Sequence, residues 1–260
     1  MRSPQVTELL NRTLVIVAHP DDESVGAGAL IQRMHEVAVV FCTDGGPRDR
    51  YFWSSYGTRQ DYVRVRHQEA ELAAKIGGVK KLNFFSIPDQ ELHKYLLDAL
   101  TQLEQLVGEF RPDAILTHAY EGGHPDHDCC AFLSHILAAQ YQLPAWEMPL
   151  YHRSRQRMIC QQFQPPAGHS ETLWVEGAEL ERKRGMVGSY VSQIQALEAF
   201  DLQVERFRPQ LSYDFLRPPN TELINYEAWQ WRMDAAELCG AFSALQDEIA
   251  FQQVRSRKEA

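Results

Sequence analysis

Four short apolar runs rich in β-branched residues, each followed by a stretch with helical spacing, constrain this chain more than any other feature. Residues 14–18, 37–43, 82–85 and 114–118 read as strands. The continuous run Leu14-Val15-Ile16-Val17-Ala18 suits a strand buried on both faces of a parallel sheet. Residues 26–35, 61–76, 92–110 and 129–139 read as helices, the second closed by Gly77-Gly78 and the third by Arg111-Pro112-Asp113. Small residues at Gly26, Ala27, Gly28 and Ala29 let the first helix lie close to the sheet. Strand–helix alternation of this kind predicts an α/β fold with a mainly parallel central sheet. After residue 140 the pattern weakens. Residues 158–163 and 172–175 are candidate short strands, 178–197 reads as a helix, and a loop at Arg217-Pro218-Pro219-Asn220 precedes a last helix from about Tyr226. With no linker, repeat or low-complexity segment, residues 1–260 read as a single domain.

Composition narrows the function classes. The 260 residues are 44% hydrophobic and 23% charged, enough for a full core in one domain, and the net charge of -9 speaks against a nucleic-acid partner. Five cysteines, an odd number at low density, argue against a disulfide framework; Cys129 and Cys130 read as buried small hydrophobes. Residues 1–11 are polar, without the apolar centre of a signal peptide, and no run approaches the roughly 20 apolar residues that cross a bilayer. The expectation is a cytoplasmic protein with no membrane partner. Trp229 and Trp231 read as interface or core, so a homo-oligomer stays open.

Two clusters carry the chemistry: Ala18-His19-Pro20-Asp21-Asp22-Glu23 after the first strand and His124-Pro125-Asp126-His127 after the fourth. Ligands in open parallel sheets bind beyond the carboxyl ends of the strands, where both clusters fall. His19, Asp22 and His127 supply two imidazoles and a carboxylate for one cation, a set that suits zinc with a position left for water. Asp21, beside a ligand at a helix start, is the candidate general base. His124, as an imidazolium, is the candidate acid and oxyanion partner, with Asp126 orienting it. Glu23 reads as an anchor of the turn.

These residues resemble the PIG-L/LmbE-like family of zinc-dependent N-acetylglucosaminyl deacetylases, through A-H-P-D-D-E at 18–23 and H-P-D-H at 124–127. The resemblance continues through Thr43-Asp44-Gly45, Arg66-His67-Gln68-Glu69 and Pro88-Asp89, covering roughly the first 140 residues. It implies a Rossmann-like three-layer fold and removal of an acetyl group from an N-acetylated sugar or glycoconjugate. By the same resemblance one Zn2+ is held by His19, Asp22 and His127, Asp21 is the base, and His124 is the acid or electrophile backed by Asp126. It further implies that Arg66 and Asp89 hold sugar hydroxyls. Some members carry a tyrosine two residues before the first His of H-P-D-H; here that position is Gly122, which leaves Tyr120 as the candidate substrate contact. A late K…H-x-S-Q pattern of many members is matched by Lys183 and Tyr190-Val191-Ser192-Gln193, with Tyr in the His place.

Two rivals remain at this level. A non-haem iron oxygenase also uses two His and one carboxylate, but leaves Asp21 and the His124–Asp126 pair without a task. A non-catalytic sugar- or nucleotide-binding module has no use for a base at Asp21. Gly26-Ala27-Gly28 lacks the third glycine of a dinucleotide fingerprint, because Ile31 stands there.

Overall fold

The computed structural model describes residues 5–164, 168–220 and 223–259. β1 (Arg12–Val17), β2 (Glu36–Phe41), β3 (Lys81–Phe84), β4 (Ala114–His118) and β5 (Ala145–Met148) pair in parallel in the order β3-β2-β1-β4-β5. β6 (Tyr151–Ser154) and β7 (Arg157–Cys160) form a separate hairpin. β8 (Glu171–Trp174) and β9 (Val204–Pro209) complete the seven-stranded sheet as antiparallel additions beyond β5.

The period of the strands sorts their side chains to two cores. Leu14 and Ile16 face a core shared with α3 (Leu96–Phe110), α4 (Pro125–Tyr141) and α8 (Ala235–Glu259). Val15 and Val17 face the opposite core, shared with α1 (Asp22–Arg33), α2 (Arg59–Gly77) and α5 (Gly177–Gly188). The result is the expected three-layer α/β architecture. Among the described residues no helix is long and apolar enough to cross a membrane.

Close packing of α1 on the sheet needs Gly26, since a Cβ there would stand 2.5 Å from the Met148 sulfur on β5. α2 opens with a reciprocal Thr58–Asp61 capping box and closes at Gly78 in the left-handed conformation. Three expectations change. Residues 48–60, read as a loop, contain short 3-10 turns at Arg50–Phe52 and Ser54–Tyr56. The helix expected over 178–197 breaks at Ser189-Tyr190 into α5, a 3-10 turn at Val191–Gln193 and α6 (Ile194–Leu197). Lys183, Tyr190 and Gln193 therefore do not share one helical face. The tail folds as α7 (Asn225–Ala228) and then α8.

Chain order fixes where the site sits. From β1 the chain winds outward through β2 to β3, then returns to β4 on the other side of β1. The switch point thus lies between β1 and β4, and the segments leaving those two strands carry the two clusters.

Candidate metal centre and active site

β1 ends at Val17, and the chain turns through His19 to Asp21 before α1 begins. Asp21 is held at φ +136°, a strained conformation for a residue with a Cβ. The Glu23 carboxylate holds it there, accepting from the Asp21 N–H at 3.2 Å, from Ser24 Oγ, and from the Tyr190 hydroxyl at 2.7 Å. Glu23 is thus an anchor, as its sequence position suggests, and Tyr190 braces it. On the other side, H-P-D-H opens a helix rather than forming a loop. His124 is the N-cap of α4 and its Nδ1 accepts from the Asp126 N–H at 3.1 Å, while Pro125 occupies the first helical position. His127 lies one turn in and faces back toward β1.

The two segments meet. His127 Nε2 lies 3.3 Å from His19 Nδ1 and 3.3 Å from Asp22 Oδ1, and His19 Nδ1 lies 3.4 Å from Asp22 Oδ2. Four ligands at the 2.0–2.1 Å typical of zinc with nitrogen or oxygen stand about 3.3–3.4 Å apart along a tetrahedral edge. The two rings meet different oxygens of Asp22, His127 facing Oδ1 and His19 facing Oδ2, and each separation is the length of one such edge. All three side chains are buried. Three overlapping groups among the described residues have ligand atoms close enough to hold a cation: His19, His124 and His127; His19, Asp89, His124 and Asp126; and Asp22, His118 and His127.

The electrostatics call for positive charge at this point. Burial alone would lower the His19 pKa, yet Asp89 and hydrogen bonds to Asp126, Asp22 and Asp89 hold it well above its usual value. Asp22 lies in the opposite condition: burial pushes it up, and His127 and His118 more than offset that to hold it well below the carboxylate range. Asp21 is pushed up to about 6, by burial first and by Asp22, against the pull of Arg66. Arg66, itself buried, donates to the Pro20 carbonyl and to Asp21 Oδ2 at 3.1 Å, and its Nε and Nη1 have no hydrogen-bond partner among the described residues.

A cavity of about 360 Å³ opens over this cluster. Its lining includes His19, Asp21, Asp22, Arg66, Asp89, His124 and His127. Two expected residues are placed differently. Asp126 does not orient His124: its Oδ2 is 3.9 Å from His124 Nδ1 but 3.3 Å from His19 Nε2, and its carboxylate also accepts from the Gln90 and Leu92 N–H groups. The carboxylate facing His124 Nε2 is Asp89, at 3.3 Å, which also stands 3.2 Å from His19 Nε2. The cause is local: the cap bond already uses the ring nitrogen that Asp126 would have to reach. Burial, and then His19, lower the His124 pKa, and with Nδ1 engaged by the cap bond Nε2 is the ring nitrogen that faces Asp89.

Tyr120 is the other. Its ring packs among Tyr213, Phe215 and Phe242, and its hydroxyl donates to the Arg217 carbonyl at 2.8 Å, away from the cavity lining. The tyrosine that lines the cavity is Tyr151, edge-on to the His127 ring at 5.4 Å.

His118 is the residue that sequence reasoning missed. Wholly buried at the end of β4, it accepts from the Ala18 N–H at 3.0 Å, stacks on His127 at 4.0 Å, and lies 3.3 Å from Asp22 Oδ2. Burial and His127 push its pKa down to about 3, so it is a neutral brace. The parallel register of Val15 with Leu116 carries the signal, because two residues on it sets His118 beside Val17.

Residues 14–137 match the family model described as PIG-L: GlcNAc-PI de-N-acetylase. The Bacillus cereus protein named "Probable N-acetyl-alpha-D-glucosaminyl L-malate deacetylase 2" is 26% identical over 190 residues, which cover 71% of this chain and 84% of that protein. Its Bacillus subtilis namesake is 32% identical over 156 residues, covering 56% of this chain and 65% of the relative, so this chain spans just under two thirds of that protein. Among solved structures, the A40926 pseudoaglycone deacetylase Dbv21 superposes with a TM-score of 0.62 at 18% identity, over 76% of this chain and 96% of that one, a likeness of fold. Both signatures thus stand at the switch point of such a sheet, and the similarity to the PIG-L model spans residues 14–137, just under half of the chain.

Proposed function

We propose that this protein is a zinc-dependent hydrolase that removes the acetyl group from an N-acetylated sugar of the GlcNAc type, or from a glycoconjugate of one. The observation that carries it is the convergence of His19 Nδ1, the Asp22 carboxylate and His127 Nε2 at separations of 3.3–3.4 Å, with Asp21 adjoining. The relatives' names as deacetylases support the same reaction and lend nothing to an iron oxygenase or a binding module. The sheet, which takes strands from Arg12 to Pro209, supports reading the chain as one domain.

His19, Asp22 and His127 would hold the cation. When bound there, zinc supplies Lewis acidity toward the amide oxygen and brings the pKa of water toward about 7. Asp21 takes a proton from the attacking water: with its pKa pushed up to about 6 it is ionised at neutral pH yet basic enough to accept. Arg66 fixes that carboxylate. The neutral His124 donates from Nε2 toward the amide oxygen, and the proton gained by Asp21 passes to the departing nitrogen. Water and amide thus become acetate and amine. Asp126 and Asp89 keep the His19 ring turned so that Nδ1 faces Asp22 and His127. The free Arg66 donors, Asp89, Gln90 and Gln193 are the polar groups available to sugar hydroxyls.

The test is acetate release from a panel of N-acetyl glycosides by zinc-loaded enzyme, before and after chelation. Release that stops on chelation and returns with zinc is expected; release indifferent to chelation would contradict the reading.

A further inference from the structure

The cavity over the cluster has two unlike sides. Its charged and amide groups are the His/Asp cluster with Arg66, Gln90 and Gln193. The rest of the lining is mainly aliphatic and aromatic. Leu150 and Tyr151 come from the start of the hairpin, Met158 from β7, Leu197 and Phe200 from α6 and the residues after it, and Trp229 from the end of α7. The wall is continuous with the reacting end, because Tyr151 stands edge-on to His127 at 5.4 Å and Trp231 edge-on to His124 at 4.9 Å. At the mouth, Met158, Trp229 and Phe52 are 46%, 42% and 39% exposed, so large apolar side chains meet water together at one opening.

From this we infer that the substrate bears an apolar group of several carbons, alkyl or aryl, attached close to the amide-bearing ring and seated on that wall. The inference rests on the deacetylase reading and narrows its substrate. A second sugar ring against Leu150, Met158, Leu197 and Phe200 would bury hydroxyls beside side chains that offer them no hydrogen bond, at a cost in affinity. A methylene seated there instead gains roughly fourfold in affinity, the equivalent of ~0.8 kcal/mol. The apolar group reaches the wall from one of two attachment points, as the aglycone on the anomeric carbon or as the acyl chain on nitrogen. In either case the step is the same: water adds to the carbonyl carbon, the C–N bond breaks, and carboxylate and amine leave.

The experiment compares three amides by release of free amine: methyl N-acetylglucosaminide, its hexyl glycoside, and the methyl glycoside with hexanoyl in place of acetyl. One of the two longer compounds is expected to exceed the reference at least tenfold in kcat/KM, mainly through KM, and its identity names the attachment point. In the double variant Met158→Ser, Trp229→Ser the ratio of long to short substrate falls toward one. Binding of hexyl glucoside, which has no amide, is followed by tryptophan fluorescence against methyl glucoside. Saturable binding of the hexyl compound alone, without turnover of any amide, would sink the deacetylase reading and leave the wall standing. Amide turnover with no preference for either long compound and no hexyl-selective binding would overturn the inference alone.

Discussion

Two groups of buried charge lie on either side of α1, and they are built in opposite ways. On the β9 side, Lys183 and Glu205 are wholly buried and 2.8 Å apart. Glu205 also accepts from the Ala29 and Leu30 N–H groups, which α1 leaves free where it departs from helical geometry at Ala27. Gly28 makes room, since a Cβ there would stand 3.1 Å from Lys183 Cγ. One cation, one anion and two backbone donors close this group on itself. At the strand ends, Asp21, Asp22, Asp89 and Asp126 crowd around imidazoles with Arg66 as the cation among them, and Arg66 engages Asp21. A buried pair of one cation and one anion is architecture; a buried group short of positive charge, open to a cavity, is a place for a cation and for chemistry.

The largest effect that separates the two is on metal content. His127→Ala is expected to bring zinc per purified chain close to zero while the circular-dichroism spectrum stays that of the folded protein; full zinc content would show that the ligand set is wrong. Next comes catalysis. Asp21→Asn should lower kcat by about 10²–10⁴-fold with zinc retained, and loss of zinc together with activity would assign Asp21 to the ligands instead of the base. The closed group responds the other way. Lys183→Met strands the Glu205 carboxylate and should lower unfolding free energy by about 3–5 kcal/mol, measured in urea, with zinc per folded chain unchanged. Adding Glu205→Gln, which keeps the acceptor for Ala29 and Leu30, should recover part of that loss.

The last effect is on the pH dependence of stability. Asp128 accepts from the Glu121 and Gly122 N–H groups, and burial pushes its pKa up to about 8. Its folded form binds a proton that the unfolded chain, with its carboxyl near 4, has already lost. Its contribution therefore favours folding at low pH and declines as pH rises between roughly 4 and 8, by up to about 1.4 kcal/mol per unit. Asp128→Asn should flatten the urea-derived stability profile over that window relative to the parent; an unchanged difference between the two curves would refute the assignment.

What was legible in the sequence follows from the same contrast. β1, β2 and β4 could be read because a doubly buried parallel strand has little but apolar residues to show. β5 and β9 could not. Their registered pair Glu147–Arg208 is buried, with Arg208 Nε 2.6 Å from Glu147, so Ala-Trp-Glu-Met and Val-Glu-Arg-Phe-Arg-Pro look half-polar while both charges point inward. A partner 61 residues away leaves no local trace. The convergence of His19, Asp22 and His127 was legible because they stand in compact motifs at strand ends. The partners of Asp126 and of His124 were not, because a cap bond one residue pair long decides which ring nitrogen is free. His118 was hidden inside an apolar strand, and Tyr190 behind a helix break that periodicity does not reveal.

The central claim is that His19, Asp22 and His127 share one cation. Anomalous diffraction at the zinc edge from crystals of the zinc-loaded protein tests it directly. The account predicts a single peak about 2.0–2.2 Å from His19 Nδ1, an Asp22 oxygen and His127 Nε2. A peak held instead by Asp89, His124 and Asp126, or no peak at the strand ends at all, would contradict it.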